Sequence, residues 1–450
     1  MSKKFSAEPL RGMEDYYPED LRELNWIIEN IKDIAERYAF EEFASPQIEP
    51  IEIFAAKSSE ELVNEQSFII EKKKGERLIL IPELTPSLAR MISRKSQELK
   101  KPIRWFSVPT CFRYERPQRG RRREFKQINF DILAEESLYA DLEIFMVIVD
   151  VFKQFGADSS QFQIYYNNRR FIDSVCKFIL KVNETDLPLI YKILDKSDKM
   201  EESEFMAFVQ ESFKEENIVQ GIYKIKDSNS LDELISAFNN VPEEFYETDG
   251  YKELNTFNDL IKDANITEYC TFSPKVVRGL DYYTGIVYEV FDTGEKNIRS
   301  IFGGGRYDDL LSMFSDEKIT GTGFGMGTLM LSLFLKTYDL IPPEIRDKDY
   351  TDTIYIASIN EKVSKYALKL AKIVRNEEFP CVIDYRFKGL GNQLSKANEL
   401  GVLISLIVGP KEMEQDKVTI KNMKTEDQKT IKLESLIDEI YAIFDEFESI

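Results

Sequence analysis

Apolar and polar positions along the chain follow two different periods, and each period predicts a type of element. Over Pro18–Phe40 the apolar residues recur at steps of three and four, behind a proline at a helix-start position with acidic residues in the first turn. This spacing predicts an amphipathic helix. The following segment, 43–50, is predicted to be extended, because Pro46 disfavours the helical region for the residue before it.

Short apolar runs farther along the chain are strand-sized rather than helix-sized. They predict strands at Leu78–Ile81, Trp105–Val108 and Phe125–Leu133, with a helix at Pro86–Leu99 between the first two. An antiparallel sheet is the favoured architecture. After these runs the chain becomes helical and charged, so the segment 175–265 is interpreted as a helical insertion.

A proline-rich, charged connector at Ile341–Lys348 is the strongest candidate for a domain boundary. It predicts a first domain at 1–340, a linker at 341–350 and a second domain at 351–450. Beyond the connector, strand and helix periods alternate, which is typical of a mixed or parallel sheet covered by helices. The predicted order is strand Thr353–Ser358, a helix from Glu361, strand Cys381–Tyr385, helix Gly391–Leu400 and strand Val402–Gly409.

Composition narrows the class of protein. A chain of 450 residues with 43% hydrophobic positions can form more than one packed core. The longest apolar run, Val402–Val408, is too short to cross a membrane, and no apolar stretch follows the N-terminal lysines, so we expect a cytoplasmic protein without a membrane partner. The four cysteines lie far apart without a paired spacing, which argues against a zinc site or a disulfide framework.

The charge of the chain is unevenly distributed. Its formal net charge of −20 would repel nucleic acids. The segment Arg113–Lys126, however, carries seven basic residues against two acidic ones. A charge run is usually a solvated surface, but Tyr114, Gly120 and Phe125 interrupt this one, and the mixture favours a loop that binds nucleic acid.

Histidine is absent from the sequence. This absence excludes Ser/His/Asp and Cys/His catalysis, imidazole metal sites and a histidine general base. The chemistry must therefore depend on charge stabilisation or on the positioning of substrates.

Three motifs indicate what that chemistry is. Arg278–Glu289 reads RGLDYYTGIVYE and places a cation, phenols and carboxylates where a turn meets a strand. Phe302–Asp308 reads FGGGRYD, and Cys111–Arg121 reads CFRYERPQRGR. Together they resemble the signature segments of class II histidyl-tRNA synthetases. The segments Pro102–Ser107 and Asn167–Arg170 resemble the archaeal type of that family.

The resemblance implies a fold and an activity. The fold is α+β, with a class II antiparallel-sheet catalytic domain, a helical insertion and a C-terminal α/β anticodon-binding domain. The activity is ATP-dependent conversion of L-histidine to histidyl adenylate and its transfer to the 3′ end of tRNA(His). Mg²⁺ is the implied cofactor, without a side-chain motif that binds it, and the helix and strand at 18–50 imply a homodimer.

The resemblance also implies roles for individual residues. A carboxylate that attacks an α-phosphate is repelled by it, so guanidinium groups must lie between the two anions. The implied catalytic residues are Arg113 and Arg278. The implied histidine-binding residues are Glu83, Thr85, Gln127, Asp131, Tyr283 and Tyr307. The implied ATP-binding residues are Arg113, Glu115, Arg121, Phe125, Arg278 and Met330, and the implied tRNA-binding residues are Arg116 and Gln118.

One segment departs from the family pattern. The alternating glycines of Gly321–Gly327 predict a strand with one bare face that a flat adenine could approach, although close sheet packing would explain them too. Where the family continues with an acidic residue and an arginine that holds the γ-phosphate, this chain has Leu329 and Met330. Met330 can cover adenine through its thioether but cannot hold a phosphate.

Three functions remain open from the sequence. In the first, the enzyme is active, and Arg121, Arg122 or Arg123 together with magnesium supplies the missing charge. In the second, the chain is a histidine-sensing regulator that resembles the regulatory subunit of ATP phosphoribosyltransferase. The basic loop and the predicted second domain favour the first. A generic RNA-binding protein, the third, would not explain the segment 278–289.

Overall fold

The computed structural model describes residues 5–55, 62–63, 65–72, 75–197, 200–277, 282–294, 296–297, 299–314 and 318–449. The chain divides into two compact units, Met1–Ile345 and Arg346–Ile450. Arg278, predicted to be catalytic, lies outside the described residues. No helix among the described residues is long and apolar enough to cross a membrane.

The first unit begins with helix α1, Pro18–Arg37, whose buried stripe includes Ile27, Ile31 and Ile34. The helix ends before Phe40 because Ala39 takes a left-handed backbone with φ of 56°. The elements that follow are strand β1 (Glu41–Glu42), strand β2 (Ile48–Pro50), helix α2 (Ile51–Ala55), strand β3 (Ile69–Glu71), strand β4 (Arg77–Leu80) and helix α3 (Thr85–Lys95). Strands β2, β4 and β3 form a small antiparallel sheet in that order.

A nine-stranded sheet, as far as the structure describes the unit, forms its centre. Its further strands are β5 (Ile103–Ser107), β6 (Thr110–Phe112), β7 (Glu124–Leu133), β8 (Phe162–Asn168), β9 (Cys270–Phe272), β10 (Ile286–Asp292), β11 (Ser300–Tyr307) and β12 (Gly321–Gly327). The order is β1-β5-β7-β12-β11-β10-β8-β9, and β6 pairs with β7. Pairing is antiparallel from β5 to β8, as predicted, while β1 and β9 join the two edges in parallel.

One face of this sheet carries the main core. Helices α4 (Leu138–Gln154) and α12 (Thr328–Thr337) contribute to that core, which is rich in aromatic residues. The Phe152 ring lies 4.1 Å from the Phe162 ring and 5.0 Å from the Phe334 ring, centroid to centroid. The opposite face of β7 and β12 is left for polar side chains.

Helices fill the chain between β8 and β9. They are α5 (Arg169–Ser174), a π-helix (Val175–Leu180), α6 (Leu187–Lys196), α7 (Glu202–Ser212), α8 (Glu216–Asp227), α9 (Leu231–Ser236), α10 (Glu243–Tyr246) and α11 (Asp249–Asp263). Phe257 of α11 packs edge-on against Phe145 of α4, with ring centroids 5.0 Å apart. The inserted helices therefore share one hydrophobic core with the sheet.

The second unit, as far as it is described, contains a five-stranded mixed sheet with the order β14-β13-β15-β16-β17. Its elements are β13 (Ile354–Ser358), α13 (Ser364–Asn376), β14 (Cys381–Ile383), α14 (Leu390–Leu400), β15 (Ile404–Val408), α15 (Pro410–Glu414), β16 (Lys417–Asn422), β17 (Gln428–Lys432) and α16 (Leu436–Glu448). Strand β13 pairs in parallel with β14 and β15, and the last two strands pair antiparallel. This α/β layout confirms the predicted fold class.

Candidate active site

A cavity opens on the polar face of the large sheet. Strands β7, β11 and β12, the turn before α3 and the segment that leads into β10 form its walls. All six predicted histidine-binding residues line it together with Arg113, although they are spread over more than two hundred positions of the chain. The lining residues are Glu83, Thr85, Arg113, Gln127, Asn129, Asp131, Tyr282, Tyr283, Gly303, Tyr307, Gly323, Phe324 and Gly325.

Strand β7 supplies three polar side chains to the cavity. Because side chains of a strand alternate between its faces, Gln127, Asn129 and Asp131 share one face while Ile128 and Phe130 enter the core. The three polar residues are at most 8% exposed. Asn129 was not predicted as a site residue, although its place in this alternation was a visible signal.

Asn129 determines how the neighbouring amide is oriented. Nε2 of Gln127 donates a hydrogen bond to Oδ1 of Asn129 at 3.1 Å. With its donor group used in this way, Oε1 of Gln127 is the acceptor that the side chain can offer to a ligand. The pair therefore favours a ligand that donates hydrogen bonds at this point, such as an ammonium group.

The alternating glycines of β12 make room for the polar side chains of the cavity. A Cβ at Gly321 would lie 2.4 Å from the Tyr307 ring, and a Cβ at Gly323 would lie 2.6 Å from Oδ1 of Asp131. At Gly325 it would lie 2.6 Å from Nε2 of Gln127. The bare strand face thus serves the buried polar end of the cavity, and the approach of adenine to it stays a prediction.

Asp131 and Tyr307 form the most buried pair of the site. The Tyr307 hydroxyl donates a hydrogen bond to Oδ1 of Asp131, and the residues are 2% and 3% exposed, respectively. Burial raises the pKa of Asp131 to about 7, while the hydrogen bond from Tyr307 acts in the opposite direction. Burial and the nearby carboxylate hold the pKa of Tyr307 well above its usual value, so the phenol remains a donor.

Aromatic rings enclose this pair. The ring centroids of Tyr282 and Tyr283 are 4.8 Å apart, and those of Tyr282 and Tyr307 are 6.1 Å apart. A flat ligand ring that carries an N–H group fits such a wall, because the tyrosine rings pack on it and the carboxylate accepts a hydrogen bond from the N–H. This end of the cavity has the chemistry to bind an imidazole.

Arg113 lies between the amino-acid end and the basic loop. Its Nε donates to the Pro82 carbonyl at 2.9 Å, next to Glu83, which is 4% exposed. Its guanidinium carbon is 5.4 Å from the centroid of the Phe125 ring. Phe125 therefore has a cation near its ring, and its predicted stacking on adenine stays a prediction.

The basic loop after Arg113 consists of exposed and half-buried residues. Arg116 and Gln118, the predicted tRNA contacts, both lie on its surface. Glu115 pairs with Nη1 of Arg121 at 3.0 Å and with Nη1 of Arg113 at 3.9 Å. The carboxylate of Glu115 thus keeps two of the predicted phosphate-binding cations together.

The three arginines expected to replace the missing motif arginine differ in their surroundings. Arg122 pairs with Glu14 and donates to the Tyr16 hydroxyl at 3.2 Å. The Arg123 guanidinium stacks 4.1 Å above the Tyr114 ring. The Arg121 side chain is 53% exposed, which makes it the most accessible of the three to a phosphate.

Met330 supports the tip of the basic loop. Its Sδ lies 2.2 Å from where a Cβ would stand at Gly120, which has φ of 78°. Only glycine fits this left-handed position so close to the thioether. The structure thus gives Met330 a contact with the loop, and its predicted contact with ATP stays a prediction.

The β10–β11 connection also holds the loop, which the sequence did not indicate. Nη2 of Arg299 donates to Oε1 of Gln118 at 3.2 Å, and Nη2 of Arg119 donates to Oδ1 of Asn297 at 3.3 Å.

No metal-binding group of three or more acidic or cysteine side chains occurs within the described ranges.

Known protein families resemble the chain over nearly its full length. The family described as histidyl-tRNA synthetase matches residues 12–331, and an anticodon binding domain matches residues 353–443. The histidine–tRNA ligase of Leptospira biflexa is 34% identical over 97% of this chain and 98% of its own length. That of the archaeal Haloarcula marismortui is 32% identical over 95% and 96%.

Solved structures show the same fold. The histidyl-tRNA synthetase from Nostoc sp. PCC 7120 covers 98% of this chain and all of its own, with a TM-score of 0.73 and 22% identity. A structure from Bacillus halodurans C described as an ATP phosphoribosyltransferase regulatory subunit/histidyl-tRNA synthetase covers 90% of this chain and all of its own, with a TM-score of 0.73 and 19% identity.

Proposed function

The chain belongs to the histidyl-tRNA synthetase family and is an aminoacyl-tRNA ligase; we propose that it activates L-histidine with ATP and transfers it to the 3′ end of tRNA(His). The observation that carries this proposal is the cavity itself. It joins a buried carboxylate and phenol at one end to Arg113 at the other. That arrangement suits an amino acid whose side chain is an aromatic ring with an N–H group and whose carboxylate must approach a phosphate.

Recognition of histidine is assigned to the buried end. The imidazole N–H donates to Asp131, Tyr283 and Tyr307 bound the ring, and the ammonium group is held by Glu83, Thr85 and Gln127. A site built to satisfy ring nitrogens rejects a side chain that lacks them by roughly 10⁴-fold, because its buried polar groups would stay unpaired. Asn129 supports the ammonium site through its hydrogen bond with Gln127.

Adenylate formation is assigned to the guanidinium groups. Arg113 holds the α-phosphate, and Arg278, which lies outside the described residues, holds it from another side. The histidine carboxylate is already ionised and attacks the α-phosphorus without a general base; the bond between the carboxylate oxygen and phosphorus forms as the bond to the β-phosphate breaks, which leaves histidyl adenylate and pyrophosphate. Arg121 and Glu115 contact the ATP, and Mg²⁺, when bound, would neutralise part of the charge of the phosphates.

Contacts with tRNA are assigned to both units. Arg116 and Gln118 meet the acceptor end, where arginine and glutamine can read base edges. In the second unit Tyr385 is 59% exposed beside Arg386 and Lys396, and they line one cleft. An exposed aromatic next to cations can stack on an unpaired base, which supports binding of the anticodon there.

A homodimer is part of the proposal. In the family the helix and strand at 18–50 form the dimer interface, and here they expose apolar side chains. Leu21 is 42% exposed and Ile48 is 45% exposed. Sedimentation that gives a monomer at micromolar concentration would contradict the dimer.

A histidine-sensing regulator is the second candidate. It is favoured by Leu329 and Met330 in place of the family's acidic residue and arginine and by the similar fold of the Bacillus halodurans protein. The anticodon binding domain at 353–443 favours the ligase. Histidine-dependent exchange of pyrophosphate into ATP, followed by charging of tRNA(His), decides between them. The ligase predicts both activities, and no exchange at saturating histidine would favour the regulator.

A further inference from the structure

Two adjacent arginines stand where β8 ends and the inserted helices begin. Arg169 and Arg170 open helix α5. Arg169 contacts Tyr283 of the amino-acid site, Arg170 contacts Asp308 next to Tyr307, and both contact inserted helices. We propose that they are positioning residues through which the inserted helices set the affinity of the enzyme for histidine. This inference rests on the proposed function and adds a link that joins the insertion to the substrate.

Arg169 fixes the backbone of the segment that carries Tyr283. Its Nη1 donates to the Tyr283 carbonyl at 2.8 Å, and its backbone N–H donates to the Gly285 carbonyl at 2.9 Å. The residue is 8% exposed, and its guanidinium carbon is 4.5 Å from the ring centroid of Tyr191 in α6. The side chain thus lies between an inserted helix and the wall of the histidine site.

Arg170 makes the corresponding link to the other wall. Its Nη2 donates to Oδ2 of Asp308 at 2.6 Å, and its Nη1 donates to Glu253 of α11. Asp308 directly follows Tyr307, and the same Oδ2 accepts a hydrogen bond from the Thr284 hydroxyl at 2.7 Å. One guanidinium therefore connects an inserted helix to the residues beside both Tyr283 and Tyr307.

The insertion approaches this junction at backbone distance. A Cβ at Gly250 of α11 would lie 2.2 Å from the Arg170 carbonyl oxygen. Glu253 also accepts a hydrogen bond from Nδ2 of Asn168 at 2.8 Å. A shift of α11 along α5 would have to break these contacts, and the Arg170 side chain would then lose the carboxylate that holds it in position beside Asp308.

Exposure sets the size of the expected effect. The side chains of Arg170, Asp308 and Glu253 are 40%, 29% and 23% exposed, so water screens their attraction in part. Loss of the link should loosen the histidine site without destroying it. We expect a change of about 3- to 10-fold in the KM for histidine.

The test uses the full-length enzyme and a substitution outside the cavity. Glu253→Gln removes the partner of Arg170 on α11 and touches no residue that lines the site. We expect the KM for histidine in pyrophosphate exchange to rise about 3- to 10-fold, with kcat and the KM for ATP within about 2-fold. Arg170→Met should show the same pattern, and the double variant should be no worse than Arg170→Met alone, because both changes break one link.

A surface pair on the same helix is the matched control. Lys252 of α11 pairs with Glu247, and their side chains are 55% and 77% exposed. Lys252→Gln should leave the KM for histidine unchanged. An unchanged KM for histidine in Glu253→Gln, or equal rises in the KM for histidine and the KM for ATP, would overturn the coupling. Absence of histidine-dependent exchange in the unsubstituted enzyme would overturn the proposed function instead.

Discussion

The two ends of the cavity differ in how far their polar groups are already buried and bonded. At the amino-acid end, Asp131 and Tyr307 are paired and at most 3% exposed. At the phosphate end, the Arg121 side chain is 53% exposed and pairs with the carboxylate of Glu115. One end is shaped before any substrate arrives, and the other consists of cations on a surface loop.

Electrostatics explains the difference. A carboxylate and a phenol satisfy each other when buried, so they can be packed without a ligand. Several guanidinium groups repel one another, and burial without a phosphate would leave their charge uncompensated. Selectivity for the amino acid can therefore be built into the sheet, whereas phosphate binding needs groups that gather around the nucleotide.

The largest expected effect is at the boundary between the two ends. Arg113→Met should lower kcat for pyrophosphate exchange by about 10²- to 10³-fold, because it removes a cation from the charge that develops on the α-phosphate. Binding of histidine should change little. Arg122→Met, in the same loop but paired with Glu14, should change kcat by less than about 3-fold. If Arg113→Met lost affinity for histidine by the same factor as kcat, the distinction between the two ends would be contradicted.

The next effect is on the ring site. Asp131→Asn should lower kcat/KM for histidine on the order of 100-fold, since a charged acceptor for the imidazole N–H is lost. The KM for ATP should stay near its normal value. Asp150→Asn is the matched control, because Asp150 accepts from the Tyr38 hydroxyl at 2.7 Å away from the cavity lining. A larger change in the KM for ATP than in the KM for histidine would contradict the assignment of Asp131 to the amino-acid end.

A smaller effect is expected from the support of the ammonium site. Asn129→Leu leaves Gln127 without the partner that orients its amide and should raise the KM for histidine about 10-fold. The preference for histidine over imidazolepropionate, which lacks the ammonium group, should fall by the same factor in competition assays. Asn129→Asp keeps the acceptor and should retain most of that preference. A preference that is unchanged in Asn129→Leu would remove Asn129 from the site.

The smallest effect concerns stability and pH. Burial raises the pKa of Asp131 to about 7 in the folded protein from 3.8 as the ordinary value. Between these values the folded state holds more protons than the unfolded state, so the contribution of Asp131 to stability is present at low pH and is lost as pH rises toward 7. Asp131→Asn lacks this loss. Its Tm relative to the unsubstituted protein should increase from pH 5 to pH 8 by about 2–4 °C in thermal unfolding, and a decrease would contradict the buried state of the carboxylate.

Local patterns in the sequence predicted much of the fold. The helix expected at Pro18–Phe40 is present as Pro18–Arg37. Its end was predicted too late because the left-handed residue after the helix is Ala39 and not glycine, the usual sequence signal for such a turn. The alternating glycines predicted a bare strand face, but what fills that face depends on strands that lie far apart in the chain. Asn129 could have been found from the alternation of β7.

Other features could not be predicted because they are contacts between distant segments. Met330 meets Gly120 about two hundred positions earlier, and Arg169 meets Tyr283 more than one hundred positions later. No period or motif in either segment encodes the partner. Only the folded sheet and its inserted helices bring these residues together.

Calorimetry of the nucleotide-free enzyme tests the central claim most directly. If the amino-acid end is formed in advance, histidine should bind saturably without ATP, and phenylalanine, which has a ring but no ring N–H, should not bind measurably. Binding of histidine only after ATP and magnesium are added, or equal affinity for the two amino acids, would contradict the account.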